Sequence, residues 1–215
     1  MFGNILAIGA HFDDVELGLG GTLAKLASSG SSIYKLTLTN NKTNFLRNNI
    51  NVSFEDSSRE SAAACKILNI NELTDFSPVE CTYLKYETLL MQKLESIIFD
   101  LSITTVFLHF HSDIQQDHVA AAKLGIVASR YCRNVFYYQS NRYLLPADFY
   151  PRIFSDITDF IDIKFNALSS YSSDHDRFAK LFEQTKLQNE IWGYQMSMSR
   201  ITKYAEAFVP HKMVF

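Results

Sequence analysis

Long apolar runs and secretory features are missing from this sequence. No stretch approaches the roughly 20 consecutive apolar residues that a membrane-spanning helix needs. Residues 1–10 contain no basic side chain and lead straight into polar residues, unlike a secretory signal. The three cysteines form no Cys-x-x-Cys arrangement and are interpreted as reduced, mostly buried thiols (Cys65, Cys81 and Cys132). We therefore expect a cytoplasmic protein with no integral membrane segment.

The chain also lacks an excess of charge of either sign. Its 20 Lys and Arg residues nearly balance 23 Asp and Glu residues, giving a formal net charge of -3. Without a run of basic residues, counterion release offers no drive toward phosphate backbones, and we expect no nucleic-acid partner. Proline- or glycine-rich linkers and internal repeats are missing too, while 47% of the residues are hydrophobic. One folded domain over residues 1–215 is expected.

The first pattern that is present is a βαβ unit. Residues 5–9 form a short apolar run, three glycines follow, and residues 23–27 have the spacing of an amphipathic helix. Residues 33–39 alternate and are rich in β-formers. This pattern predicts a second strand, parallel to the first after a right-handed crossover.

Later segments continue the alternation of strands and helices. Helices are predicted over residues 53–68, 84–99 and 119–130, strands over residues 104–109 and 134–138, and a loop over residues 40–51. Two more helices, from 159 to about 172 and from 177 to about 198, precede a last strand over residues 204–208. The expected fold is an α/β, Rossmann-like, largely parallel sheet with helices on both faces.

A histidine and two carboxylates directly follow the first predicted strand. Open α/β sheets bind their ligands outside the carboxyl ends of the strands, so this position favours function. Because His11 and Asp14 are three residues apart, a tight turn lets both face one Zn²⁺ ion. Asp13 lies between them and can act as a general base toward water at an open metal site.

Two structural interpretations compete with that hypothesis. Asp13 and Asp14 could cap the following helix by accepting from its first N–H groups, with His11 as an ordinary strand-end residue. The run Gly18-Leu-Gly-Gly21 could form a phosphate-binding turn, although it matches neither the dinucleotide fingerprint nor the P-loop.

A second polar cluster follows the strand predicted over residues 104–109. It contains three histidines and two aspartates (His109, His111, Asp113, Asp117 and His118). In a parallel sheet the two strand ends lie at the same edge, so this loop can supply a third zinc ligand. Alternatively, Asp117 is only a helix N-cap and His109 a buried strand residue.

Both clusters resemble the LmbE/PIG-L deacetylase family. The segment Ala10-His11-x-Asp13-Asp14-x-x-x-Gly18-x-Gly20-Gly21-Thr22 is similar to its first signature, with Phe12 in place of proline, and His109, Asp113, Asp117 and His118 match its second motif in spacing. Glu60, Ala64 and Leu68 are similar to a family helix, with Asn69 where glycine is usual, and residues 204–206 resemble a terminal Tyr-Ala-Glu segment. The resemblance covers nearly the whole chain.

The resemblance implies a zinc-dependent enzyme that removes an acyl group, typically acetyl, from an N-acylated amino sugar. It implies zinc on His11, Asp14 and His118, with Asp13 as general base. Gln115 stands where the family has a histidine that assists the oxyanion or the leaving amine, and glutamine cannot transfer a proton. Gln115 is itself a candidate catalytic residue that can donate a neutral hydrogen bond. His109 or His111 could fill the gap as a further catalytic residue, or each could only pack at the strand end.

Several alternatives stay open from the sequence alone. The substrate could be free, nucleotide-linked or lipid-linked, and the chain could form a homo-oligomer. Tyr34, Arg142, Tyr143 and residues 40–52 could line the substrate pocket or simply pack at the surface. A metal- or sugar-binding homologue that has lost efficient hydrolysis through Gln115 is the second hypothesis. A nucleotide-binding oxidoreductase is the third, although the glycine fingerprint is missing.

Overall fold

The structure is a computed structural model that describes residues 2–45, 50–76, 78–141, 149–173, 175–196 and 201–214. Its strands are β1 (Asn4–Gly9), β2 (Ile33–Thr37), β3 (Thr43–Phe45), β4 (Ile50–Val52), β5 (Asn71–Glu72), β6 (Ile103–His109), β7 (Asn134–Tyr138), β8 (Ile153–Asp156) and β9 (Ala205–Lys212). Its α-helices are α1 (Asp14–Ser28), α2 (Phe54–Leu68), α3 (Thr88–Asp100), α4 (Gln116–Ala128), α5 (Ile161–Leu168) and α6 (His175–Met196).

Seven strands form one sheet in the order β5-β2-β1-β6-β7-β9-β8. Neighbouring strands from β5 to β7 pair in parallel, whereas β9 runs antiparallel to both β7 and β8. The chain moves outward from β1 to β2 and β5, then returns to add β6 on the other side of β1. The carboxyl ends of β1 and β6 therefore form the topological switch point where such sheets bind ligands.

Helices cover both faces of the sheet, as predicted. On β1, Ile5 and Ala7 pack in the core beneath α1, α2 and α5, whereas Leu6 and Ile8 pack in the core beneath α3 and α4. Successive side chains of a strand point to opposite faces, so a strand buried on both faces reads as a continuous apolar run. No helix within the described segments is both long and apolar enough to cross a membrane.

Several predicted boundaries differ from the structure. Within residues 40–51, predicted to be a loop, β3 and β4 form an antiparallel hairpin. The helix predicted from residue 84 begins only at Thr88, because Leu84 instead packs in the core and donates its N–H to Asp117. The helix predicted from residue 159 is split into a 3₁₀ turn (Thr158–Phe160) and α5.

Helix α2 is defined by its two caps. The Ser53 hydroxyl accepts from the N–H of Asp56 at 3.0 Å, which satisfies a donor of the first turn. Asn69 ends the helix with φ at 56°, a left-handed conformation that glycine adopts most easily and asparagine next best. The glycine usual in the family that the sequence resembles is thus replaced by asparagine, the residue type next best able to adopt this conformation.

The glycines of α1 serve close packing. A Cβ atom on Gly18 would collide with the ring of Tyr138, and one on Gly21 would contact Ile157. The Glu206 carboxylate accepts from the N–H groups of Gly21 (3.0 Å) and Thr22 (2.7 Å) in the middle of the helix. These contacts account for the glycine-rich run and for the Tyr-Ala-Glu segment without a phosphate-binding turn.

Candidate metal centre and active site

The two polar clusters meet at the switch point between β1 and β6. His11, Asp13 and Asp14 follow β1, where the chain turns directly into α1. His109 ends β6, and His118 lies in the first turn of α4. His11 keeps some exposure at 13% of its side chain, whereas the side chains of Asp14 (1%) and His118 (0%) are buried.

The three predicted metal ligands form a compact triangle of residues, in which Asp14 turns a different carboxylate oxygen toward each histidine. His11 Nδ1 lies 3.3 Å from Asp14 Oδ2, and His118 Nε2 lies 3.3 Å from both His11 Nδ1 and Asp14 Oδ1. Ligand atoms about 2.0 to 2.1 Å from a tetrahedral zinc ion are about 3.3 to 3.5 Å from one another. The spacing of this donor set, two imidazoles and one carboxylate, therefore fits zinc.

A carboxylate holds the far nitrogen of each imidazole in the triangle. His11 Nε2 lies 3.2 Å from Asp117 Oδ2, and His118 Nδ1 lies 3.0 Å from Asp113 Oδ2. Metal-bound histidines usually have such a partner, which fixes the tautomer and the ring orientation. The arrangement thus supports a metal centre on His11 and His118.

The sequence alone allows Asp117 to be a helix N-cap, but in the structure its carboxylate has other hydrogen-bond partners. Its carboxylate accepts from the backbone N–H groups of Thr82 at 2.8 Å and Leu84 at 3.3 Å. The N-cap of α4 is Gln115. Asp117 therefore ties the segment after β5 to the ring of His11.

Two hydrogen bonds fix the Asp14 carboxylate. It accepts from the backbone N–H of His11 at 2.7 Å and from the Ser140 hydroxyl at 2.8 Å. It also lies 3.1 Å from His109 Nε2. Burial raises the pKa of Asp14, but the neighbouring histidines lower it by more than burial raises it. The pKa is therefore well below its usual value. The carboxylate is ionised and oriented, as a metal ligand must be.

Asp13 and Asp14 do not act as side-chain caps of α1. Asp13 occupies the N-cap position, but its side chain makes no capping hydrogen bond. Asp14 is turned back toward His11 rather than toward the helix. Asp13 is 4% exposed and directly precedes the predicted ligand Asp14, with Phe12 between it and His11.

His109 is a fully buried member of the cluster. Its ring stacks on that of His118 with centroids 4.0 Å apart, and its Nε2 lies 3.0 Å from the backbone nitrogen of Ala10. Burial lowers the pKa of His109 to about 4, helped by His118 and opposed by Asp14. The imidazole is therefore neutral at ordinary pH.

The two remaining imidazoles lie in an environment that favours positive charge. Burial lowers the pKa of His118, but Asp14 and Asp113 raise it more, to about 9. Burial also lowers the pKa of His11, and Asp14 and Asp117 again exceed that effect, so its pKa is raised well above the usual value. The same carboxylates would stabilise a bound divalent cation.

Gln115 has a local structural role that its sequence position does not reveal. Its Oε1 accepts from His118 N–H at 2.9 Å, which makes it the N-cap of α4, and its Nε2 lies 3.3 Å from His11 Nε2. Both ends of the amide thus contact residues of the metal triangle. Glutamine is not a preferred capping residue, so local sequence rules gave no signal for this contact.

Other predicted residues lie outside the triangle. His111 is exposed and pairs with the Ser112 hydroxyl at 2.7 Å, with its ring against Tyr137. Tyr34 is half-buried and packs against the core on the α3 and α4 side. Arg142 and Tyr143 lie outside the described residues. The three cysteines are buried thiols, and Cys81 Sγ is 3.9 Å from Asp117 Oδ2.

Comparison with known proteins places the chain in a family. Residues 6–129 match the family model described as PIG-L, GlcNAc-PI de-N-acetylase. The chain is 30% identical over 175 residues to the uncharacterized deacetylase YaiS of Escherichia coli (strain K12), covering 79% of this chain and 90% of YaiS. The protein belongs to the PIG-L (LmbE-like) deacetylase family.

Solved structures share the fold over nearly its full length. The conserved protein TT1542 of Thermus thermophilus is 26% identical with a TM-score of 0.81, covering 99% of this chain and 96% of its own. The 4-carboxy-2-hydroxymuconate hydratase GalB of Pseudomonas putida KT2440 has a TM-score of 0.83 at 18% identity, covering 99% and 98%. Because a hydratase has this fold, the reaction must be argued from the site residues.

Proposed function

We propose that this protein is a zinc-dependent N-deacetylase that acts on an N-acylated amino sugar. The observation that carries the proposal is the triangle of His11, Asp14 and His118: the two imidazole nitrogens lie 3.3 Å apart, and each lies 3.3 Å from an oxygen of the same carboxylate. Such a donor set suits a tetrahedral ion with one position left open. Asp13 directly precedes Asp14 in the chain and is buried, and we assign it the role of general base. The family model's description, a de-N-acetylase of a GlcNAc conjugate, supports an amide bond on an amino sugar.

In the proposed mechanism the proton is moved by one residue of this chain. His11, Asp14 and His118 would hold the zinc ion, which would polarise the acyl carbonyl and make water more acidic. Asp13 takes a proton from the attacking water as the water oxygen bonds to the acyl carbon. When the C–N bond breaks, Asp13 returns that proton to the departing nitrogen, so water and amide become a carboxylic acid and an amine.

One carboxylate serves both steps because the nearby side chains are poor proton donors. Gln115 has no titratable proton, and its amide oxygen accepts from the backbone N–H of His118. His109 is buried and neutral, and its Nε2 accepts from the backbone N–H of Ala10, so we assign it no proton-transfer role. Asp113 and Asp117 hold the His118 and His11 rings in the orientation a metal ligand needs.

The alternative is a homologue that binds metal or sugar but hydrolyses poorly because of Gln115. One experiment separates the two. The purified protein is analysed for metal, then assayed for free amine with free, nucleotide-linked and lipid-linked N-acetyl sugars. About one zinc per chain with zinc-dependent amine release supports the deacetylase. Bound zinc and retained sugar without amine release, from any substrate in the panel, would favour the binding protein.

A further inference from the structure

A buried lysine and a buried tyrosine converge on the peptide between two proposed active-site residues. Lys35, on β2, is fully buried. Its ammonium lies within hydrogen-bond distance of four oxygens: Phe12 O (2.6 Å), Glu16 Oε1 (2.7 Å), Ser61 Oγ (2.8 Å) and the Tyr171 hydroxyl (3.2 Å). Tyr171, after α5, donates its hydroxyl proton to the same Phe12 O at 2.6 Å. Two donors from different elements thus fix one carbonyl.

That carbonyl belongs to the peptide plane that joins Phe12 to Asp13. A peptide is planar, so holding its C=O also restricts where the Cα atom of Asp13, which carries the side chain, can lie. Proline, the family's usual residue at position 12, restricts its own φ to about -65°, whereas phenylalanine does not. A chain with Phe12 therefore has more need of an external restraint on this turn.

We propose that Lys35 and Tyr171 are positioning residues that hold the Phe12–Asp13 peptide so that Asp13 faces the metal centre. The inference rests on the proposed roles of Asp13 and the three ligands. Burying an ammonium–carboxylate pair is often no more stable than burying apolar residues of similar volume. The Lys35–Glu16 pair is therefore better explained by the carbonyl it holds than by the stability it contributes.

Electrostatics agree with a charged lysine at this place. Burial lowers the pKa of Lys35, but Glu16 raises it more, so the pKa is above its usual value and the ammonium stays protonated. The Ser61 hydroxyl also bonds to Glu72, which links the network to β5. Ser61 contacts Lys35 without contacting the carbonyl of Phe12, and this makes it a matched control.

The first test compares Tyr171→Phe with Ser61→Ala. Each change removes one hydroxyl from the same buried network, but only Tyr171→Phe removes a donor to Phe12 O. We expect Tyr171→Phe to lower kcat at least about tenfold with KM within about twofold, because small misplacement of a catalytic group is costly. Both variants should lower Tm by a few degrees, but Ser61→Ala should leave kcat within about twofold. Equal kcat losses in both, or no loss in Tyr171→Phe, would overturn the proposal.

The second test separates position from stability. Lys35→Met alone leaves Glu16 as an unpaired buried carboxylate and should unfold at a much lower temperature. The double variant Lys35→Met/Glu16→Met removes both charges and should recover most of the lost Tm. We expect its kcat to stay low, because the Phe12 carbonyl has still lost its lysine. A double variant that recovers kcat together with Tm would show that the pair is only structural.

A third measurement does not depend on turnover. Co²⁺ is added to metal-stripped wild type, Tyr171→Phe and Ser61→Ala, and the visible absorption spectrum of each is recorded. Tyr171→Phe should shift the bands or weaken Co²⁺ affinity at least about threefold, while Ser61→Ala should match wild type. If no sugar is hydrolysed by wild type but this shift is seen, the proposed substrate is wrong and the positioning role stands. Identical spectra and affinities in all three would reject the positioning role itself.

Discussion

The carboxyl ends of β1 and β6 contribute differently to one site. The β1 end supplies two proposed ligands and the proposed base within four residues, His11 to Asp14. The segment after β6 supplies one ligand, His118, and the two carboxylates that hold the imidazoles. Most of the proposed reacting residues thus lie after β1, and the carboxylates that orient the imidazoles lie after β6. Substitutions at the two ends should have effects of different kinds.

The largest effect is expected where the two ends are equivalent. Asp14→Ala, from the β1 end, and His118→Ala, from the β6 end, should each reduce bound zinc from about one per chain to below about 0.1 and abolish amine release, because two protein ligands hold zinc poorly. Metal analysis of purified proteins checks this. If His118→Ala keeps its full metal content, His118 is not a ligand and the residues after β1 hold the metal without it.

The next effect is expected only at the β1 end. Asp13→Asn should retain zinc but lower kcat at least about 10²-fold, the usual scale for a positioned acid or base. Kinetics and metal analysis on the same preparation separate the two properties. Zinc loss would make Asp13 a ligand, and unchanged turnover would remove it from the mechanism.

The supporting carboxylates after β6 should affect the metal without directly affecting the proton transfer. Asp113→Asn should weaken zinc about 10- to 100-fold, as expected for the partner of a ligating histidine. Asp117→Asn should do the same and also lower Tm further, because Asp117 also accepts from Thr82 and Leu84 N–H. Zinc titration measures the affinity for the metal, and thermal unfolding measures Tm. Equal Tm losses in Asp113→Asn and Asp117→Asn would show that the Asp117 contacts with Thr82 and Leu84 add no stability.

The smallest effect is expected at Gln115. Gln115→His should change kcat by no more than about tenfold, roughly 1.4 kcal/mol in the barrier, because the mechanism relies on Asp13 for both proton transfers. Gln115→Ala should lower the free energy of unfolding by about 0.5 to 2 kcal/mol through loss of the α4 cap. Amine release across pH 5 to 9 and thermal unfolding test this pair. Activity appearing only in Gln115→His would favour the binding protein.

The order of strands and helices could be predicted because local patterns dictate it. Apolar runs of strand length and helical spacing identified most elements from β1 to β9, although boundaries shifted by several residues at α3. That shift has a tertiary cause, since Leu84 leaves the helix to pack in the core and to bond Asp117. The hairpin of β3 and β4 was missed because its strands are three residues each, too short for a periodic signal.

The sequence by itself determined which residue types meet at the sheet edge, because parallel strands place the residues that follow them on one side. His11, Asp14 and His118 could be named for that reason. Only the tertiary structure decided what surrounds them: Ser140 on Asp14, Asp117 on His11, and Lys35 and Tyr171 on Phe12. These partners come from separate elements, and the Lys35 and Tyr171 contacts span 23 and 159 residues of chain. No local pattern records such contacts, since they arise only when distant segments pack into one buried space.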